Sequence, residues 1–390
     1  MDKKYVKIRA IVCGALLTGA STGIFSNSIA VFITSVCADL GASRGSFTLI
    51  TSVTLLFSMA SLPLFGRLLA KANIRRLIAL SAFICVGCVL TYSFCREIWQ
   101  FYAAAAVYGL FVNGITLLSA GMLLRRLNIT ISGAVSGIAF SAAGVFSFFF
   151  LPLLQRTVSE FGWRWGYRLQ AASGALILII AIAIMPKPQA AEARPAVAFA
   201  KLFKRRELLY AAAALFIANA VNLALFNHSS ANLIGLGMSA ASAASVTSWA
   251  ALLSSVSKPL FGISADRLGL KSASVILTAS LFGACFDALA LSFSRVALFA
   301  FPLLLSVSAC SNSIPANLFA AKLFDDSDYP SAASALTLAS TAGSAIGPPI
   351  AGAVYDRFGS YSYMWSGCAA ATVVSGILLI FSLSCAERSK

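Results

Sequence analysis

The cation at Lys258 lies inside an apolar stretch, and its type and position make it the first candidate for binding chemistry. The stretch from Ser242 to Ala265 is long enough to cross a bilayer, and Lys258 is its only charged side chain. A lysine near the centre of a membrane helix costs about 2.5 to 3.5 kcal/mol on insertion scales, so such residues usually face a cavity and serve a function. Pro259 follows directly, and its missing N–H loosens the helix and frees a carbonyl. We therefore expect Lys258 to bind an anionic group; the alternative is that its long stem carries the charge to the headgroups.

Polar side chains in other apolar segments are further candidates. His228 is the only histidine in the chain and follows three asparagines, at 219, 222 and 227. Its imidazole titrates near neutral pH, which suits ligand binding or proton coupling, although a structural hydrogen-bonding role is the alternative. Three more asparagines lie inside apolar segments and are candidate ligand contacts: Asn27, Asn113 and Asn312. For Asn27, a hydrogen bond between helices is the alternative.

Asp287 is the one acidic residue that the pattern places inside an apolar segment. We expect it to form a structural pair, with ion coupling as the alternative. No spacing of acids, cysteines or histidines suggests a metal site, and no nucleophile and base recur together in the apolar segments. The sequence therefore predicts no enzyme activity, no metal and no cofactor.

Composition defines the class of protein. Of the 390 residues, 59% are hydrophobic and only 11% are charged, which excludes a soluble globular protein of this size. Apolar runs of about 20 residues, the length that a helix needs to cross a bilayer, predict an all-α membrane protein with twelve crossings. The predicted centres are Gly23, Phe57, Cys85, Gly109, Ala143, Leu176, Ala218, Leu252, Phe282, Leu304, Ser344 and Val374.

The distribution of positive charge predicts the orientation. Of 29 lysines and arginines, 21 fall in the tails and loops of one side and seven on the other, while Lys258 lies between. Basic loops stay cytoplasmic, so both termini are expected in the cytoplasm. The net charge of +16 then reflects topology and anionic headgroups rather than nucleic acid. Lean loops suggest a multi-pass protein of the bacterial inner (plasma) membrane.

The chain divides into two similar halves. A polar, basic segment predicts a cytoplasmic linker over 187–206, between six-helix bundles at 1–186 and 207–390. The phrase after the eighth crossing has a degraded copy 196 positions earlier. The phrase comprises Gly262, Asp266, Arg267, Gly269 and Lys271. The corresponding residues of the copy are Gly66, Ala70, Lys71, Asn73 and Arg75. A parallel repeat of half the chain follows.

This phrase, GxxxDRxGxK, together with six-plus-six crossings, resembles the major facilitator superfamily over essentially the whole chain. Three further phrases are similar to its monocarboxylate transporter and oxalate/formate antiporter group: GASRGSFT from Gly41, FGWR from Phe161, and GPPIAGAVYDRFGSY from Gly347. The resemblance implies two bundles that rock around a central site. It also implies a gating role for Asp266 and Arg267, which would pair across the bundles in the outward-open state; the alternative is a turn that caps a helix and anchors to headgroups.

The resemblance also bears on the site. In the resembling families a cation at the position of Lys258 binds the substrate carboxylate. Asn27 falls where animal monocarboxylate transporters have lysine, and Ser254 falls where they have aspartate, so their proton relay is not carried over. The eleventh crossing, 332–354, has no lysine or arginine, whereas the oxalate/formate antiporter has a second cation there. A monoanion is therefore favoured over a dianion.

The implied function is secondary active transport of a small organic anion, foremost a monocarboxylate. Moving one negative charge inward costs about 2.3 kcal/mol per 100 mV, so a proton symport or counter-anion is expected. Two alternatives stay open: efflux of an uncharged or amphipathic compound, and a transporter-like receptor that binds without turnover. The expected partners are the anion, its coupling ion and the bilayer, with the protein as a monomer.

Overall fold

The computed structural model describes residues 3–71, 73–116, 119, 123, 133–186, 205–291, 297–312, 315–324 and 329–389, and within them the secondary structure is helical without strands. The helices are α1 Lys3–Thr18, a π-helix Gly19–Ser26, α2 Ile29–Leu40, α3 Arg44–Lys71, α4 Ile74–Tyr92, α5 Ile98–Val112, α6 Gly133–Phe161, α7 Trp163–Ile184, α8 Arg206–Gly235, α9 Ala240–Ala290, α10 Ala297–Ser308, a 3₁₀ segment Ala309–Asn312, α11 Pro315–Leu323, α12 Tyr329–Phe358 and α13 Ser362–Ser389.

These helices confirm the predicted all-α membrane fold. Eight segments are long and apolar enough to cross a membrane, and two shorter apolar helices add to them. Each predicted centre lies inside one of the helices. The first crossing comprises α1, the π-helix and α2, and α9 contains both the eighth and the ninth.

The break in the first crossing has a local cause. Small and hydroxyl residues fill the π-helix, and the N–H of Asn27 donates to Thr22 O at 3.0 Å, one residue farther back than in an α-helix. The Ser28 hydroxyl lies 2.7 Å from Ile24 O and competes with the backbone for that carbonyl. Single π turns are frequent at functional sites, and this one turns Asn27 and Ser28 toward the centre of the molecule.

Glycines with positive φ end helices at equivalent places in the two halves. Gly41 and Gly237 are separated by the same offset as the repeated phrase, and Gly162 and Gly359 by one position more. Gly269, with φ 81°, breaks α9 between its two crossings, and Asn73, its counterpart in the first half, begins α4 as its N-cap. The same helix ends at nearly the same offset support the parallel repeat.

The two halves touch along two close helix pairs. A Cβ on Gly352 of α12 would stand 2.5 Å from Gly45 Cα of α3, so these backbones lie in direct contact. On the other flank, Gly144 of α6 packs against Ala251 and Ser255 of α9 with no room for a side chain. The main hydrophobic cluster contains buried residues of both halves, and two smaller clusters lie within the second half.

Candidate functional site

A cavity of about 310 Å³ lies between the two halves. The broken first crossing, α3 and α7 form one wall, with residues such as Asn27, Thr51 and Gln170. From the second half, α8 contributes Asn227 and α12 contributes Ser344. A ligand in this cavity therefore contacts both halves at once.

The cavity wall is aromatic and uncharged. Its aromatic residues are Phe25, Phe32, Tyr92, Tyr108, Tyr167 and Phe226. Phe32 and Tyr167 stack with centroids 3.8 Å apart, and Phe25 meets Tyr108 edge-on at 6.2 Å. Among the described residues that line the cavity, none is charged. Such a wall suits a compact ring or other apolar body held by a few hydrogen bonds.

Asn27 lies in the cavity wall and also joins two helices. Its Nδ2 donates to Ser147 Oγ of α6 at 2.8 Å, and Ser147 lies 2.9 Å from Gly23 O in the broken crossing. A Cβ on Gly23 would stand 2.6 Å from Ala143 O, so the first crossing and α6 are in close contact. Both predicted roles of Asn27, interhelical hydrogen bonding and a place at the ligand, are compatible with this position.

Gln170 is a cavity residue that the sequence reasoning missed. It lies on α7 and is 2% exposed. Its Nε2 donates to the carbonyls of Ile24 and Phe25, at 2.9 and 3.2 Å, and contacts Ser28 Oγ. The side chain therefore supports the break in the first crossing. Its only sequence signal was a lone glutamine in an apolar helix.

On the side opposite the basic loops, the halves are held together at the start of α3. Asp356, near the end of α12, accepts hydrogen bonds from Arg44 N at 3.0 Å and Gly45 N at 2.9 Å. The first N–H groups of a helix have no intrahelical partner and carry partial positive charge, so a carboxylate there is stabilising. Asp356 thus caps a helix that belongs to the other half.

The side chain of Arg44 extends this contact. Its guanidinium lies 3.8 Å from the centre of the Tyr355 ring, and Nη1 donates to the Tyr361 hydroxyl at 2.9 Å. Burial raises the pKa of the Tyr361 phenol above its ordinary value, with Arg44 acting in the opposite sense. The phenol therefore stays protonated and has a proton to donate onward.

His228 accepts the hydrogen bond from that phenol. Its Nδ1 lies 2.8 Å from Tyr361 OH and its Nε2 lies 2.9 Å from Pro348 O. Because a carbonyl only accepts, Nε2 carries a hydrogen, and the neutral tautomer leaves Nδ1 to accept from Tyr361. His228 is fully buried and is not among the residues lining the cavity. We call the set Arg44, Asp356, Tyr361, His228 and Pro348 the latch.

The Pro348-Pro349 pair creates acceptors for the first half. Proline has no N–H, so Pro349 leaves Ala345 O without its helical donor. Ser52 of α3 donates its hydroxyl to that carbonyl, and Thr48 Oγ1 lies 3.2 Å from Pro348 O. The phrases from Gly41 and Gly347 that carried the family resemblance thus meet in space. Sequence reasoning recorded both phrases and gave no role to Arg44, Asp356 or Tyr361.

Comparison with known proteins agrees with this architecture. The family model of the Major Facilitator Superfamily matches residues 11–234 and 230–389. The chain belongs to the Major Facilitator Superfamily.

Relatives within this superfamily are distant. The chain is 25% identical over 258 residues to the "Uncharacterized transporter ESBP6" of Saccharomyces cerevisiae, which is 61% of this chain and 37% of that protein. The match therefore spans little more than a third of that relative. Among solved structures, a mutant of the nucleoside transporter NupG has a TM-score of 0.79 at 14% identity and covers 97% of this chain and 99% of its own.

A bacterial homologue of the human lysosomal transporter Spinster, in an inward-facing and unoccupied conformation, has a TM-score of 0.75 at 13% identity, over 99% of this chain and 97% of its own. These likenesses establish the major facilitator fold. The monocarboxylate subgroup that the sequence resembles stays a prediction.

The GxxxDRxGxK phrase lies around the break in α9 between its two crossings, on the side of the basic loops. Asp266, Arg267 and Lys271 are exposed, and Gly262 has open space around its Cα. Asp266 and Arg267 form no ion pair within the described part of the chain. The matching side chains of the first half, at 66, 70 and 71, lie outside the described residues. The gating role of this phrase stays a prediction.

Lys258 is half-buried, and the helix continues through Pro259. It follows Ala251 by seven residues and Ser255 by three, so it shares the face of α9 that packs on Gly144 of the first half. Cys310 of the 3₁₀ segment lies near the Lys258 side chain. Lys258 is not among the residues lining the cavity; it lies along the boundary between the halves.

The remaining candidates lie elsewhere. Asn113 ends α5 and donates to Ser58 O at 2.8 Å and Ser61 Oγ at 3.0 Å, both on α3, so it joins two helices within the first half. Asp287 is 9% exposed in α9 and does not line the cavity. The side chain of Asn312 lies outside the described residues. Of the predicted ligand contacts whose side chains the structure describes, Asn27 alone lies in the cavity wall.

Proposed function

We propose that this protein is a secondary active transporter that moves a small organic monoanion, foremost a monocarboxylate, by alternating access. The observation that carries the proposal is a cavity shared by two halves and closed on one side by the latch. Release of the latch, with closure at the basic loops, exposes the same cavity to the opposite side. The structure then represents the state closed on the side of Arg44.

Support for an anion comes from Lys258. It shares the face of α9 that packs on Gly144 of the first half, so a carboxylate bound by Lys258 would lie close to the contact between the halves. None of the described cavity residues is acidic, so none repels the anion. Inward movement of the charge is coupled to a proton or a counter-anion, because the membrane potential opposes it.

A second candidate solute is an uncharged or amphipathic compound, which the uncharged cavity wall favours. Burying an unpaired carboxylate among aromatic rings carries a large desolvation cost. If the solute binds wholly inside the cavity, it is neutral and Lys258 reaches the headgroups. The two candidates differ in whether Lys258 contributes to binding.

Counterflow into proteoliposomes tests both candidates. The labelled probes are mandelate, an anion with an aromatic body, and mandelamide, its uncharged counterpart. Transport predicts uptake of at least one probe above protein-free liposomes. For the anion we expect Lys258→Gln to raise KM for mandelate at least about tenfold, the loss of one charge-assisted contact. Lys322→Gln, at an exposed lysine of the second half outside the gating phrase, is the control and keeps the wild-type KM.

Each outcome decides between the candidates. Uptake of mandelamide with the same KM in wild type and Lys258→Gln supports the uncharged solute and contradicts the anion. Absence of counterflow for both probes contradicts the transport proposal.

A further inference from the structure

Three deeply buried cavity residues each hold a polar atom with no hydrogen-bond partner among the described residues. These are Gln170 Oε1, Asn227 Nδ2 and Ser344 Oγ, and the residues are 2%, 2% and 4% exposed. Two further cavity residues, Thr51 and Tyr108 of the first half, each have a hydroxyl without a partner among the described residues. Leaving a buried polar group unpaired costs about 1–3 kcal/mol. Gln170 belongs to the first half, whereas Asn227 and Ser344 belong to the second. These unpaired atoms thus belong to residues that line the cavity from both halves.

The orientation of the Gln170 amide is fixed by its neighbours. The carbonyls of Ile24 and Phe25 can only accept, so the group that they contact must be the amide nitrogen. These contacts hold the side chain against the break in the first crossing. The opposite end of the amide is then Oε1, an acceptor with no donor of its own among the described residues.

We infer that Gln170 is a specificity-determining residue that accepts a hydrogen bond from a hydroxyl or N–H group of the solute. The inference rests on the proposed transport function and narrows its solute class. The solute carries a hydrogen-bond donor in addition to any carboxylate. A compound whose polar atoms only accept, such as a simple carboxylate, leaves Gln170 Oε1 unpaired and places a second acceptor near it.

The second half supplies the complementary contacts. The Asn227 amide and the Ser344 hydroxyl can donate to an acceptor on the solute. Asn227 directly precedes His228 of the latch, so a solute that bonds to Asn227 contacts the element that closes the cavity. A donor on one edge of the solute and an acceptor on the other therefore join the two halves through the ligand.

Four probes separate hydrogen-bond donation from charge. Mandelate and phenylacetate are anions with and without a hydroxyl, and their methyl esters are the uncharged pair. Dissociation constants come from ligand-dependent thermal stabilisation of the purified full-length protein. We expect each hydroxyl-bearing probe to bind about tenfold more tightly than its partner, the size of one net hydrogen bond. In Gln170→Met we expect this ratio to fall to about one.

Gln155→Met is the matched control. Gln155 is also buried, at 5% exposure, and its Oε1 also lacks a partner among the described residues, but it does not line the cavity. This variant keeps the tenfold ratio. If Gln170→Met does not fold, Gln170→Asn is tested instead. The asparagine side chain is one methylene shorter, so its amide oxygen no longer reaches the position of Gln170 Oε1.

A ratio of about one in the wild type, whether both members of a pair bind or neither does, overturns the inference. So does a tenfold ratio that persists in the Gln170 variant. The counterflow result is independent of this ratio. If the protein prefers hydroxyl-bearing probes but shows no counterflow, transport is contradicted and the role of Gln170 is retained. If it shows counterflow but no such preference, transport is retained and the role of Gln170 is contradicted.

Discussion

At the scale of single residues, the latch combines an exposed cap with a buried bridge. Asp356 is exposed and accepts hydrogen bonds from two N–H groups at the start of α3, whereas the buried Tyr361 joins Arg44 to the buried His228. Removing a member of the buried bridge leaves a polar atom without its partner, and that cost exceeds the value of the bond itself. Each member therefore affects the balance between the closed and the released state.

Asp356→Asn tests the capping contact. An amide can accept at only one of its two positions, so one N–H of Arg44 or Gly45 loses its partner. We expect faster hydrogen exchange at the amides of residues 44 and 45, by about fivefold, as the loss of about 1 kcal/mol implies. Mass spectrometry of exchanged peptides measures this rate.

Asp39→Asn is the control for this experiment. Asp39 lies on the same side and bonds to Arg164 at 2.7 Å and Trp163 at 3.0 Å, all within the first half. We expect the Asp39→Asn variant to leave the hydrogen-exchange rate at the amides of residues 44 and 45 unchanged. Equal acceleration by both variants would mean that loss of a surface acid, and not of the inter-half cap, causes the effect.

Tyr361→Phe tests the bridge between Arg44 and His228. The variant keeps the ring and removes the hydroxyl, so His228 Nδ1 and Arg44 Nη1 each lose a partner. We expect a loss of about 1–3 kcal/mol in stability, seen as a lower Tm of the purified protein. Tyr363→Phe, at a residue 64% exposed, leaves Tm unchanged. An unchanged Tm in Tyr361→Phe would show that the bridge contributes no stability.

At the scale of helices, close backbone contact is what allows the halves to close. Gly352 lies against Gly45 with less room than a methyl group needs. Closure on this side therefore requires glycine, and any side chain at 352 favours the released state.

Gly352→Ala is expected to abolish or strongly reduce counterflow while mandelate still binds, because only the closing step is obstructed. Gly367→Ala is the matched control, since nothing lies within 4 Å of its added Cβ. Both variants gain the same intrinsic helix propensity, so a difference between them reports the inter-half contact. Wild-type counterflow in Gly352→Ala would contradict the role of this contact in closure.

Sequence patterns predicted the helices well and the site poorly, for a physical reason. The length of an apolar run follows from the thickness of the bilayer, so every predicted centre lies inside a helix. A turn after the eighth crossing was one of two interpretations of the GxxxDRxGxK phrase, and the positive φ of Gly269 explains the glycine there. The contacts of His228 and Gln170, by contrast, join residues more than 100 positions apart, and one sequence does not show which helix faces meet.

At the scale of the whole molecule, the repeat explains where the site lies. Two similar halves, whose helices end at equivalent glycines, meet along matching faces, and the cavity lies between them. Aromatic and amide groups come mainly from the first half, and the latch residues Asp356, Tyr361 and His228 come from the second. In the proposed transport cycle, solute recognition therefore belongs mostly to the first half and closure mostly to the second half.

The most direct test of this account measures two distances between the halves in the same preparation. Pulsed electron paramagnetic resonance uses spin labels at exposed positions after replacement of the partly exposed Cys37 and Cys385. One pair, Glu160 and Phe358, reports the latch side, and the other, Arg76 and Ser272, reports the basic side. Mandelate is added to each pair. Alternating access predicts two populations for each pair that change in opposite directions, with the latch side lengthening as the basic side shortens. A single, unchanged distance for both pairs, with and without the probe, would contradict it.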